Sequence, residues 1–203
     1  MRKNKNIHIL GKRIRLIPYR KNHVLKYHEW MSSAELRELT ASERLSLDEE
    51  YNMQKSWLND DNKCTFIVLT SEVYKEELQN EVESMIGDVN LFFNDVDDKQ
   101  SAEIELMIAE NDYRGKGLGK EALVAMMHYG IQELHVKTFT AKIGYANEIS
   151  QNLFKKFNFV EVSRSDVFKE ITYSFAISDE TKKSLKTRTN ELKIVNVDYP
   201  SDS

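Results

Sequence analysis

Residues 102–134 read AEIELMIA, ENDYRGKGLG and KEALVAMMHYGIQEL in succession. An apolar run leads into a glycine-spaced loop and then into an amphipathic pattern, which predicts strand, turn and helix. The loop core is Arg114-Gly115-Lys116-Gly117-Leu118-Gly119, and it holds three of the chain's seven glycines. Glycines so placed permit positive φ and let a ligand approach bare backbone. Because the loop opens a helix, unpaired N–H groups and the positive end of the helix dipole face the turn. Such a turn is an anion cradle, suited above all to a pyrophosphate. Two familiar phosphate loops do not fit: the glycines are too closely spaced for G-x-G-x-x-G, and G-x-x-x-x-G-K-[ST] is absent.

Composition narrows the setting. The 203 residues suit one domain followed by a tail, with 40% hydrophobic and 31% charged residues, ordinary for a soluble globule. A net charge of −4 argues against a general nucleic-acid binder. The single cysteine, Cys64, precludes an internal disulfide framework and suits a reducing compartment. No apolar run approaches the roughly 20 residues of a membrane span. These features predict a cytoplasmic protein with no membrane association and no metal site, since the five histidines are scattered.

On either side of the loop, alternation and apolar runs predict strands over 13–19, 64–69, 85–93, 138–143, 159–162 and 167–177. Helical spacing predicts helices over 23–31 and 147–157, the latter with Ile149, Leu153, Phe154 and Phe157 on one face. Ser46-Leu47-Asp48-Glu49 is a capping box that opens a further helix through about residue 58. The order β-α-α-β-β-β-α-β-α-β-β gives a mixed α+β fold. Residues 1–177 are expected to form the domain, and the polar segment 178–203 a flexible tail.

The motif R-G-x-G-x-G after a strand resembles the acetyl-CoA signature of the GNAT N-acetyltransferases. The resemblance spans roughly residues 9–177 and implies the GNAT fold, a central splayed mixed sheet flanked by helices. It implies acetyl-CoA as cosubstrate, held by Arg114, Gly115, Lys116, Gly117, Leu118 and Gly119. It also implies that Met107, Ile108 and Ala109 hold the pantetheine arm through their backbone, where two central strands part. A second family motif stands here as Asn147, Ser150, Phe154 and Asn158-Phe159; it adds Asn147 and Ser150 to the cosubstrate site. Phe154 departs from the family pattern, because many members carry there a tyrosine that protonates the leaving thiolate. Tyr145 and Tyr113 are alternative hydroxyls. The polar stretch with Thr40, Ser42 and Glu43 falls where the fold places the acceptor groove.

Acetyl transfer to an amine requires that the ammonium lose a proton. Glu103 and Glu105 lie two apart on the strand that leads to the loop, so they share a face and either could act as the base. An N-terminal α-amine, with a pKa of about 7.7–8.0 against about 10.4 for lysine, needs little assistance.

The blocks 27–31 (YHEWM), 39–43 (LTASE), 63–69 (KCTFIVL), 87–92 (GDVNLF), 107–110 (MIAE) and 142–144 (KIG) resemble the eukaryotic N-acetyltransferase 9 family. That resemblance implies acetylation of protein N-termini, with α- and β-tubulin as acceptors and microtubule stability as the consequence. A small-molecule, polyamine-like acetyltransferase shares every one of these cosubstrate residues, and a non-catalytic CoA- or cytoskeleton-binding module would accommodate Phe154.

Overall fold

The computed structural model describes residues 2–75, 78, 80–95 and 97–199. In chain order they form β1 (Ile7–Leu10), β2 (Ile14–Pro18), α1 (Val24–Met31), α2 (Ala34–Leu39), α3 (Leu47–Asn59), β3 (Lys63–Thr70), α4 (Glu81–Ser84), β4 (Met85–Phe92), β5 (Ser101–Ile108), α5 (Leu118–Gln132), β6 (Thr138–Gly144), α6 (Glu148–Lys156), β7 (Val160–Ser165), β8 (Glu170–Ala176), α7 (Asp179–Thr189) and β9 (Lys193–Asn196). Among the described residues the nine strands make one mixed sheet, ordered β7-β8-β6-β5-β4-β3-β2-β1-β9. Neighbours are antiparallel except β5 and β6, which run parallel.

Each face of the sheet carries its own core. On one side α5 packs Ala122, Leu123, Ala125, Met126 and Tyr129 against strand residues such as Leu16, Phe66, Val89 and Ile104. Burying a leucine or methionine side chain there contributes about 1.5–3 kcal/mol. Alanine, leucine, methionine, lysine and glutamate dominate α5, all strong helix formers. Phe154, Phe157 and Phe159 extend this core under α6. On the opposite face Tyr19, Tyr27, Trp30, Ile67, Leu69 and Met107 gather beneath α1–α3. The capping box predicted for α3 is formed: Ser46 N donates to Glu49 Oε2 at 2.7 Å and Glu49 N to Ser46 Oγ at 3.4 Å.

Two irregularities shape the middle of the sheet. The β3–β4 register steps from Val68↔Gly87 to Leu69↔Met85, leaving Ile86 as the extra residue of a bulge. The Ile86 carbonyl instead accepts from Ala109 N at 2.8 Å and Glu110 N at 3.2 Å. Beyond it, β5 and β6 pair only over Ser101↔Thr138, Ala102↔Phe139 and Glu103↔Thr140. From Ile104 onward β5 pairs with β4 alone, and from Ala141 onward β6 pairs with β8 alone. The sheet therefore opens as a wedge toward the glycine loop.

Several expectations change. A short strand β1 precedes the first predicted one, and the polar connection before α3 is preceded by a third helix, α2, whose N-cap Ser33 accepts from Leu36 N. Ile149 is 86% exposed rather than on the packed face of α6. Of the segment 178–203 expected to be a flexible tail, residues 200–203 lie outside the described residues, and the described part forms α7 and β9. Helix α7 opens with a Ser178–Thr181 capping box and buries Leu185, and β9 pairs with β1 over Ile7↔Asn196 to Leu10↔Lys193. Tyr199 then lies under the Arg20 guanidinium, 3.5 Å from its ring centre, and its hydroxyl hydrogen-bonds His8. Cys64 is a core residue, its thiol pushed up to about 12 by burial.

Candidate active site

The glycine loop takes the form that its sequence demands. Gly115 and Gly117 have φ of 70° and 80°, a region that side-chain-bearing residues rarely enter. Gly117 is the N-cap of α5 and offers no side chain, so the first-turn N–H groups of that helix stay uncapped by it. At Gly119 a Cβ would stand 3.3 Å from Ile108 Cγ1, which brings the start of α5 hard against β5. A bare, left-handed backbone at the N-terminus of a 15-residue helix fits a diphosphate.

Arg114 departs from the role expected of it. Its guanidinium turns back: Nε donates to the Ile108 carbonyl at 2.8 Å, Nη2 to that of Ala109 at 3.4 Å, and Nη1 to Glu35 Oε1 at 2.8 Å. It fastens the end of β5 to α2 rather than standing over the loop. Two of the three residues expected to serve a pantetheine arm thus have committed carbonyls, and Ala109 N is committed as well. What β5 offers instead is its unpaired edge along the wedge. Arg13 shapes the loop from the other side, donating to the Lys116 carbonyl at 2.8 Å and that of Gly117 at 3.2 Å. Asn147 caps α6, its Oδ1 accepting from Ser150 N at 3.1 Å. Phe154 is a core ring, edge-on to Phe159 at 4.9 Å. The Tyr145 hydroxyl donates to Asp166 at 3.0 Å, while Tyr113 packs against the α5-side core.

The two glutamates of β5 separate clearly. Glu103 accepts from Lys142 Nζ and Asn94 Nδ2, both at 3.0 Å. The Glu105 side chain reaches solvent and has no hydrogen-bond partner among the described residues. Its flanks are nonetheless crowded by neighbouring strands. Loss of water there, then the charges of Glu103 and Asp88, outweigh Lys63 and Lys142 and raise its carboxyl to about 7. That value matches the task of a base at neutral pH.

The strand register explains the crowding. Thr65, Asn90 and Glu105 face one another across β3, β4 and β5, with Lys63, Phe92 and Glu103 in the next row. Asp88 lies diagonally from Glu105. Thr65 Oγ1 donates to Asn90 Oδ1 at 2.6 Å, Asn90 Nδ2 to Asp88 Oδ2 at 2.7 Å, and Tyr27 OH to the same oxygen at 3.4 Å. Asp88 is 2% exposed, and burial raises its carboxyl to about 6 against the opposing pull of Asn90, Lys63 and Tyr27. Lys63 is 6% exposed, and burial lowers it to about 8. Its ammonium lies 3.0 Å from the Trp57 ring centre and 4.1 Å from that of Phe92. Tyr19, Tyr27 and Trp57 roof the strip, with ring centres 5.1–6.4 Å apart. Glu50 of α3 is buried near them and raised to about 7 by burial.

None of Lys63, Asp88, Asn90, Tyr27 or Glu50 was singled out from sequence. The signal was present: Asp88 and Asn90 sit two apart within an otherwise apolar strand, the same spacing as Glu103 and Glu105. Thr40 and Ser42, by contrast, hydrogen-bond each other at 2.9 Å and stay within their own turn after α2, and Glu43 beside them is exposed. The structure does not bring these three into the strip.

The buried acid gives a direct stability test. Because the folded state raises the Asp88 pKa from 3.8 to about 6, its contribution is fully present below pH 3.8 and lost as pH rises through 6. Asp88→Asn keeps an acceptor for Asn90 and Tyr27 without the charge. The variant should gain on the wild type between pH 4 and pH 8, by at most about 3 kcal/mol. Thermal melts at the two pH values check this, and an unchanged difference between the proteins would refute it.

Similarity to known proteins gives the family. A family model described as an acetyltransferase (GNAT) domain matches residues 13–160. An N-acetyltransferase 9-like protein of Nematostella vectensis is 59% identical over 86% of this chain and 88% of its own. The alpha/beta-tubulin-N-acetyltransferase 9 of Homo sapiens is 48% identical over 95% of this chain and 94% of its own. Among solved structures, spermidine N-acetyltransferase from Vibrio cholerae, crystallised with CoA and spermine, shares the fold with a TM-score of 0.68 at 16% identity, over 84% of this chain and 98% of that one. The chain belongs to the GNAT acetyltransferases, and within them to the N-acetyltransferase 9 family.

Proposed function

We propose that this acetyltransferase moves an acetyl group from acetyl-CoA to the α-amine of a protein N-terminus, with α- and β-tubulin as its acceptors in the cytoplasm and microtubule stability as the consequence. The observation that carries the reading is the position of Glu105: a carboxylate raised to about 7, open to solvent, on the strand that borders the wedge. The human relative, an alpha/beta-tubulin-N-acetyltransferase 9, supports the acceptor.

Acetyl-CoA supplies the acetyl group as a thioester. The uncapped start of α5 and the bare Gly115–Gly119 backbone would hold its diphosphate, and the unpaired edge of β5 its pantetheine arm. Glu105, ionised, takes a proton from the acceptor ammonium directly or through one water, freeing the nitrogen lone pair. An α-amine titrates close to the pH at which Glu105 does, so the transfer is nearly thermoneutral. Glu103 stays paired with Lys142 and serves to keep Glu105 raised. No hydroxyl comes from position 154, so protonation of the departing thiolate falls to another group or to water.

The test is release of CoA thiol with three acceptors: a tubulin N-terminal peptide, the same peptide with its α-amine blocked, and spermidine. Release with the free α-amine alone is the expected result. Release with spermidine alone would replace this reading by the polyamine one, to which the carboxylates of the strip lend themselves. CoA binding without release in any arm would leave a non-catalytic CoA-binding module.

A further inference from the structure

We infer that α7 completes a phosphate-binding cleft beside the glycine loop, and that this cleft takes the 3′-phosphate of CoA. The inference rests on the donor reading given above.

The cleft, about 320 Å³, lies between the β1–β2 turn, the first turns of α5 and the end of α7. Its charged walls are Lys12, Arg13, Lys120, Glu121, Arg188 and Glu191. Arg13 and Glu121 satisfy one another: Arg13 Nε donates to Oε2 at 3.1 Å and Arg13 N to Oε1 at 2.8 Å. The remaining guanidinium nitrogens of Arg13 serve the loop carbonyls, so this pair is structural. Lys12, Lys120 and Arg188 are left, and none of them forms an ion pair with a described residue. Glu191 alone opposes these three cations.

Three cations converging on one cleft repel each other unless an anion joins them. Two are held in place by an aromatic seat: the Lys120 ammonium and the Arg188 guanidinium lie 6.0 Å and 5.1 Å from the Phe157 ring centre. One guanidinium and two ammonium groups suit a phosphomonoester dianion. Gly117 identifies which one. It walls this cleft and is also the N-cap of α5 in the loop that fits a diphosphate. An anion bound here is a close neighbour of that diphosphate, and CoA carries one further phosphate, a ribose away from its own. Lys12 and Arg188 lie outside residues 13–160, so two of the three cations of this subsite come from parts of the chain beyond the matched domain.

The experiment measures dissociation constants of the full chain for CoA, 3′-dephospho-CoA and inorganic phosphate, for the wild type, Arg188→Gln and Lys12→Gln. Both side chains are at the surface, and thermal melts confirm that each variant is folded. The wild type should bind CoA tighter than 3′-dephospho-CoA by roughly tenfold or more, the scale of a charge-assisted contact. Each variant should lose most of that preference and keep its affinity for 3′-dephospho-CoA. Equal preference in wild type and variants would overturn the inference while leaving the donor reading intact. Inorganic phosphate that binds only the wild type, alongside equal affinity for the two cofactors, would overturn it in favour of a separate anion site. Failure of the wild type to bind either cofactor would overturn the donor reading itself.

Discussion

Glu105→Gln is expected to lower kcat for acetyl transfer by about 10²-fold or more, the usual contribution of a positioned base. The CoA dissociation constant should not move, because the side chain alternates with Ile104 and Leu106 and so stands on the α1–α3 face of the sheet, away from the start of α5. In the wild type the rate should fall as pH drops through about 7, where Glu105 takes up its proton. The acceptor amine, with a pKa of about 7.7–8.0, titrates in the same direction. The variant should therefore keep the limb of the amine and lose that of the carboxylate. Stability supplies an independent readout with the opposite sign. A carboxyl raised above its ordinary 4.5 favours the fold when protonated, and that contribution is lost as pH rises through about 7. At pH 8 the glutamine variant should melt no lower than the wild type. A variant that retained the kcat and the pH profile of the wild type would remove Glu105 from the mechanism and return attention to Glu103.

Gly87→Ala should produce the largest loss of stability available from a single methyl group in this sheet. A Cβ at Gly87 would stand 2.0 Å from the Met107 carbonyl oxygen and 3.0 Å from Ile108 Cα. Both obstacles are backbone, so no rotamer change relieves them. The strands must part where the β4 bulge and the end of β5 together set the mouth of the wedge. A cost of roughly 3–5 kcal/mol is expected, the range of severe core disruptions. For a domain of this size that lowers Tm by roughly 10 °C. A shift under about 2 °C would show that β4 and β5 separate far more easily than their register implies. Gly119→Ala is a useful contrast, since its nearest neighbours are the side-chain atoms Ile108 Cγ1 and Leu106 Cδ2 at 3.3 and 3.5 Å.

Much of this architecture was legible in the sequence because its signals were local. The strand, glycine loop and helix of 102–134 fall where their composition demands, and the capping box at Ser46 opens α3 as predicted. The family resemblance drawn from the short blocks is the one that the relatives bear out. What escaped was non-local. A four-residue strand such as β1 has no periodicity to read, and β9 is a strand only because β1 presents it with an edge. Helix α7 is polar along most of its length, and among its described side chains Leu185 and Thr189 are the buried ones. In the candidate site the sequence pointed to Glu103 and Glu105 but not to what tells them apart. That difference comes from Lys142 on β6 and Asn94, which hold the first, and from the loss of water around the second. Asp88 and Lys63 emerge only when three strands are laid in register, since they lie 25 positions apart in sequence. The Arg114 side chain differs from expectation for a related reason: charge beside a phosphate loop is a local signal, whereas the carbonyls of Ile108 and Ala109 that engage it are set by the end of β5.

The pairing of β9 with β1 bears on how this sheet comes into being. Its outer edge joins residues near the two extremes of the described chain, Ile7 with Asn196 and Leu10 with Lys193. Loop-closure entropy rises with the length of chain enclosed, and contacts this distant form slowly. The β3–β4–β5 meander, whose connections enclose only residues 71–84 and 93–100, can assemble without them. β9 therefore docks at the end of assembly, and its amides, which have β1 as their one sheet neighbour, should exchange soonest with solvent on this side of the sheet when the fold breathes. Because α7 connects β8 to that last strand, the order in which the molecule closes also decides when Arg188 arrives beside the glycine loop.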